Sequence, residues 1–225
     1  MKNKKTIITL TIILMILLIL YFSYFPKSQF FGKVVNKIDT EEKIVILTFD
    51  DGPGTETEEI LDVLKEKNVS AVFFVVGQRA LDNPETIRLM VENGHEVGLH
   101  TLSHHFLLTK NEFEISEGKK IVENITGFET KYFRPPYGFR IPTTIKVAKE
   151  LGLTTITWSI YPRDYSRPGE EKIVSRIVNN LKSGSIIALH DGPENREQTL
   201  NALSDIIDET RKQGYEFRTL SELIK

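Results

Sequence analysis

The chain has 225 residues, 40% of them hydrophobic and 27% charged, which is ordinary globular composition and enough for one large domain. Its formal net charge of −2 excludes the strong basic field of a nucleic-acid binder, so no nucleic-acid partner is expected. The absence of cysteine excludes disulfides, thiolate metal sites, a cysteine nucleophile and a lipid-modified cysteine.

Lys2, Lys4 and Lys5 precede a run from Thr6 to Phe25 that carries no charge. At a rise of about 1.5 Å per residue such a run spans a bilayer core of about 30 Å. It ends in Tyr21-Phe22-Ser23-Tyr24-Phe25-Pro26, which suits a membrane interface better than a small-residue cleavage site. Residues 1–26 are therefore expected to form a single-pass membrane anchor, with a cleaved signal sequence as the alternative. Both place the remainder outside the cytoplasm. Residues 27–42 are polar and irregular and read as a linker, and residues 43–225 as one catalytic domain.

From Lys43 onward strands and helices alternate. Apolar runs end near Phe49, Val76, His100, Arg134, Trp158, Leu189 and Thr219. Thr55-x-x-Glu58 resembles a capping box ahead of Ile60, Leu61 and Leu64. Asn83-Pro84 opens a helix that Gly94 closes, and further helices end at Gly127, near Gly184 and at Gly214. The runs Ile44–Phe49, Ala71–Val76 and Ile186–Leu189 are continuously apolar, as strands of a parallel sheet covered by helices are. Seven such βα units predict a distorted (β/α)7 barrel with its active site at the strand C-termini. A doubly wound open sheet is the alternative.

The polar outliers share that position. Asp50 and Asp51 follow the first strand in Thr48-Phe49-Asp50-Asp51-Gly52-Pro53. His100 ends the third strand, with His104 in the loop beyond it. Arg134 ends the fourth, Asp164 follows the fifth, and His190 ends the sixth. Two adjacent carboxylates at the end of a buried strand are costly unless they are paired or bind a metal. An Asp with two His is a catalytic zinc ligand set that leaves one position for water, and the second Asp is then free to act as a base. The four-residue spacing of His100 and His104 puts both imidazoles on one side of a helical turn. In Arg134-Pro135-Pro136-Tyr137-Gly138 neither proline has an N–H, so Tyr137 offers the first free backbone donor, suited to an oxyanion. Arg134 could orient Asp50. His190 could deliver a proton to a leaving amine. His95 and His105 receive no role.

Together these motifs, with Leu189-His190-Asp191-Gly192, resemble the polysaccharide deacetylases with a NodB-homology domain, carbohydrate esterase family four, over about residues 43–225. The resemblance implies a metal-dependent hydrolase that removes acetyl groups from acetylated glycans. By position it implies Asp50 as general base, and Asp51, His100 and His104 as ligands of a metal, usually zinc, with cobalt a possible substitute. It implies Arg134 as the tether of the base, Tyr137 as the oxyanion donor and His190 as the general acid. Asp164 is expected to pair with Arg134. Tyr161 and Tyr165 stand where the family often has Asp and Trp, and with Tyr137 they are candidates to stack on sugar rings.

The chain is therefore expected to be an anchored, monomeric N-deacetylase of amino-sugar polymers, with peptidoglycan N-acetylglucosamine the favoured substrate. Chitin-like oligomers, exopolysaccharide and acetylated xylan are alternatives. A 2-His-1-carboxylate iron oxygenase leaves Asp50, Arg134 and His190 unexplained. An inactive glycan-binding module leaves the whole acid, base and metal set unexplained.

Overall fold

The computed structural model describes residues 2–224. It opens with helix α1 (Lys2–Tyr24). Its stretch Lys4–Tyr24, with a mean hydropathy of 2.6, is long and apolar enough to cross a membrane. Ile7 through Leu20 are exposed all round it, and a helix apolar on every side needs an apolar phase around it.

The domain is built on strands β1 (Ile44–Asp50), β2 (Val72–Val75), β3 (Glu96–Leu99), β4 (Tyr132–Phe133), β5 (Thr154–Thr155), β6 (Ser185–His190) and β7 (Glu216–Phe217). They pair in parallel in the order β5-β4-β3-β2-β1-β6, with β7 against the first two residues of β1. Outside them lie α2 (Thr57–Glu66), α3 (Gly77–Asp82), α4 (Pro84–Glu92), α5 (Asn111–Thr126), α6 (Pro142–Glu150), α7 (Glu170–Val178) and α8 (Glu197–Lys212). The expected seven-stranded barrel is present as a curled, incompletely closed sheet. β5 and β6 do not pair directly. Instead Ile160, beyond β5, bridges to Ile187 of β6.

Every residue of β1 is buried, because both faces of the sheet are covered. Val45, Leu47 and Phe49 pack outward with Ile60, Leu61, Leu64, Leu203 and Ile207 of the helices. Ile46 packs inward with Val72, Phe74, Ile156 and Ile186. The period-2 alternation of a strand thus serves two apolar clusters, which is why the sequence runs read as unbroken. Each such side chain contributes on the order of 1.5–3 kcal/mol on burial.

α4 begins with Pro84 at its first turn, as expected. The capping box at Thr55 does not form. α2 starts at Thr57, whose Oγ1 instead accepts the Gly54 N–H at 2.8 Å.

Residues 27–42 are irregular, yet they are packed against the domain. The Val35 N–H donates to Thr155 O at 2.9 Å, and Val35 O accepts the Thr157 N–H at 2.8 Å. The Ile38 N–H donates to Gly184 O at 2.8 Å, and Val34 and Ile38 are buried. The stretch is a strap across the gap between β5 and β6. The bonds of Val35 and Ile38 are backbone bonds, which leave no residue signature to read.

Candidate active site

β1 delivers Asp50 to the inner face of the sheet, on the same side as Ile46 and Thr48. Asp51 has φ of 75°, so the chain turns away left-handed and the two carboxylates part. Asp50 meets Arg134, which follows β4 and is fully buried. Arg134 Nη1 donates to Asp50 Oδ1 at 2.6 Å and to Thr48 Oγ1 at 2.7 Å, and Nη2 donates to Thr157 O at 3.0 Å. The guanidinium also lies 4.1 Å from the Phe74 ring centre. Burial pulls its pKa below the ordinary value, and the Asp50 charge opposes that pull.

On the other side of the turn, Asp51 Oδ1 lies 3.1 Å from His100 Nε2 and 3.0 Å from His104 Nε2. Ligand atoms of the three residues fall within 4.8 Å of one another. His100 Nδ1 sits 2.7 Å from Arg134 O, so that nitrogen carries the proton and Nε2 presents its lone pair. Burial pushes the Asp51 carboxyl up, but the two imidazoles outweigh it and hold the group well below the usual carboxylate range. A carboxylate and two imidazole nitrogens aimed at one point fit a divalent cation of the zinc class.

The two histidines do not converge on a helical turn. Thr101 has φ of 70° and His104 φ of 58°, and the His104 N–H donates to Thr101 Oγ1 at 3.0 Å. A tight left-handed turn folds His104 back over His100. The first turn of α5 braces it: the Ser103 N–H and hydroxyl donate to the Glu114 carboxylate at 3.0 and 2.9 Å.

Tyr137 has φ of 60°, and its N–H meets no protein acceptor among the described residues. Its ring lies 4.9 Å from that of His104. At the far side, His190 Nδ1 lies 2.8 Å from Asp164 Oδ1, while Asp164 Oδ2 accepts the His190 N–H and the Thr199 hydroxyl, each at 2.9 Å. The expected pairing of Asp164 with Arg134 is therefore not made. Arg134 spends its donors on Asp50, Thr48 and Thr157, and Asp164 holds the histidine. Burial lowers the pKa of His190, but Asp164 and the more distant aspartates outweigh it and raise it to about 9. His190 is an imidazolium at neutral pH.

Asp50, Asp51, His100, His104, Tyr137 and His190 line one cleft of about 540 Å³. Tyr161 and Tyr165 form part of its wall, with ring centres 5.8 and 5.4 Å from His190. The wall also contains residues that sequence reasoning passed over. Trp158 stacks on Tyr161 at 4.7 Å. Arg79 donates to the Asp51 carbonyl, and Arg196 pairs with Glu194. Trp158 is the sole tryptophan of the chain, the one signal that could have marked it. His95 is a core histidine: it accepts the Ala71 N–H at 3.2 Å, and burial lowers its pKa to about 4.

The polysaccharide deacetylase family pattern matches residues 37–156. A peptidoglycan-N-acetylglucosamine deacetylase of Bacillus cereus is 42% identical over 201 residues, covering 86% of this chain and 94% of that protein. A chitooligosaccharide deacetylase of Sinorhizobium fredii is 37% identical, covering 84% of this chain and 96% of its own. The crystal structure of the Bc1960 peptidoglycan N-acetylglucosamine deacetylase, in complex with an N-hydroxybenzamide, superposes with a TM-score of 0.82 at 31% identity, covering 84% of this chain and 92% of that one. The chain belongs to the polysaccharide deacetylases, carbohydrate esterase family four.

Proposed function

We propose that this chain removes N-acetyl groups from peptidoglycan amino sugars, N-acetylglucosamine in preference to N-acetylmuramic acid, as a monomer anchored outside the cytoplasm by α1. The observation that carries the reading is the convergence of Asp51, His100 and His104 with Asp50 and His190 on one cleft.

Asp51, His100 and His104 would hold one divalent cation, zinc or in its place cobalt, which when bound supplies Lewis acidity toward the acetamide carbonyl and the attacking water. Asp50, oriented by Arg134, takes the proton from that water. The Tyr137 N–H donates to the oxygen on which negative charge develops. His190, kept protonated by Asp164, gives its proton to the departing nitrogen as the C–N bond breaks. Water's hydroxyl ends on the acetyl carbon, and acetate and a free amine leave. Tyr137, Tyr161 and Tyr165 offer ring faces to the sugars.

Peptidoglycan is favoured because an anchored domain meets the wall polymer nearest the membrane. The test is a panel of purified peptidoglycan, chitin-like oligomers, acetylated exopolysaccharide and acetylated xylan, with acetate and free amine both measured. Free glucosamine amine from peptidoglycan is expected. Ready acetate release from xylan or exopolysaccharide, with no free amine from peptidoglycan, rejects the substrate.

A further inference from the structure

The end of α1 is built into the catalytic rim. Arg140, 1% exposed, follows the Tyr137 loop by two residues beyond Gly138. A helix leaves its last carbonyls without partners and carries partial negative charge there. Arg140 supplies both the donors and the cation. Its backbone N–H and Nη1 each donate to Ser23 O at 3.2 Å. Its Nη2 donates to Phe25 O at 2.5 Å, Ser28 O at 3.0 Å and Pro26 O at 3.4 Å. The same guanidinium donates to Gly138 O at 2.8 Å, the carbonyl next to Tyr137. Burial lowers its pKa only to about 10, so it stays charged.

Two further paths run from this clamp into the site. Tyr24 packs on Phe139 at 5.0 Å, Phe139 stacks on Phe106 at 4.2 Å, and Phe106 lies 6.0 Å from Tyr137. Pro26 O accepts the Thr157 hydroxyl at 2.9 Å, and Thr157 O accepts Arg134, the partner of Asp50. The backbone that holds the oxyanion donor and the backbone that holds the base are both tied to residues 23–28.

We propose that Arg140 is a positioning residue that locks the membrane-proximal end of α1 to the Tyr137 loop, so that the anchor and the catalytic rim move as one body and the retained anchor supports turnover. The proposal rests on the deacetylase reading above and extends it from the cleft to the anchor. It also assigns residues 23–28 to the working enzyme, so removal of the chain up to this point costs catalysis as well as attachment.

The test uses the full chain in lipid vesicles. Because the chain has no cysteine, a spin-label pair at Leu17→Cys and Lys146→Cys is placed without background. The native Arg140 protein is expected to give a narrow distance distribution, and Arg140→Met a broad one. In the same variant kcat is expected to fall by about 10- to 100-fold, with KM for a short acetylated oligomer and bound metal nearly unchanged, because the Tyr137 N–H is misplaced and the ligands are not. Arg140→Lys keeps the charge with fewer donors and is expected to fall between the two. Should Arg140→Met fail to fold, Arg140→Lys must show the same split between kcat and KM. A broad distribution with full kcat overturns the positioning role, and a narrow one in Arg140→Met overturns the clamp. Protein with native Arg140 that releases no acetate rejects the deacetylase reading instead, while the distances still decide the clamp.

Discussion

Asp50 and Asp51 are neighbours in sequence and opposites in setting. The left-handed turn at Asp51 sends one carboxylate to Arg134 and the other to two histidines. Asp50→Asn is therefore expected to retain metal while turnover falls by on the order of 100-fold or more, since an amide cannot take the proton. Unchanged turnover would place the base elsewhere. For His190 the sign follows from burial against charge. Burial alone lowers its pKa, and Asp164 is the main cause of its rise to about 9. In the metal-free chain, an NMR titration should find His190 near 9, and in Asp164→Asn well below that. Because the folded value is raised, this pair's contribution to stability is complete below about pH 6.5 and is lost as pH rises through about 9. A His190 pKa that ignores Asp164→Asn would contradict the pairing. These charged residues were legible because carboxylates, imidazoles and a guanidinium at the ends of apolar runs have no bland explanation in common. Arg140 and Thr199 were not, because their partners are backbone carbonyls or lie far along the chain.

At the scale of elements, β1, β2 and β6 were legible from their unbroken apolar runs, and several helix ends from Gly94, Gly127 and Gly214, all at positive φ, whereas α7 stops at Val178 and Gly184 lies in the turn before β6. The loops were not. His100-x-x-x-His104 has helical spacing, yet the geometry comes from a left-handed turn held by Glu114, a contact that spacing cannot encode. The Arg134–Asp164 expectation failed for the same reason: Asp164 and His190 are 26 residues apart and meet only through the curl of the sheet. Gly118 tests how far α5 shapes the metal ligands. A glycine inside a helix ordinarily costs about 0.5–1 kcal/mol against alanine, so Gly118→Ala should stabilise an isolated helix. Here the added Cβ would lie 2.8 Å from Leu99 Cδ1 and 3.0 Å from Leu102 N and Thr101 C. Backbone cannot give way as a side-chain tip can. Gly118→Ala is thus expected to lower stability by about 1–3 kcal/mol and to weaken metal binding, read by thermal melting and by metal titration. A more stable protein with unaltered affinity would show that the turn is independent of α5.

Over the whole molecule, a curled parallel sheet carries acids and bases from distant segments to one rim, and the strap closes its open side. The class of fold was readable from alternating elements. The openness between β5 and β6 was not, because it depends on where backbone bonds of residues 35–38 land. A cation held by Asp51, His100 and His104 would join the turn after β1 to the loop after β3, and so would stabilise the folded chain as well as serve catalysis. Binding to the folded state alone adds about 2.7 kcal/mol at a hundredfold excess over Kd. The most direct measurement is therefore zinc titration of the metal-stripped full chain, following Tm and acetate release from peptidoglycan in the same samples. Both are expected to rise over one concentration range and to saturate at a single site. Full turnover by the stripped protein, or a Tm indifferent to zinc, would contradict the metal-dependent mechanism.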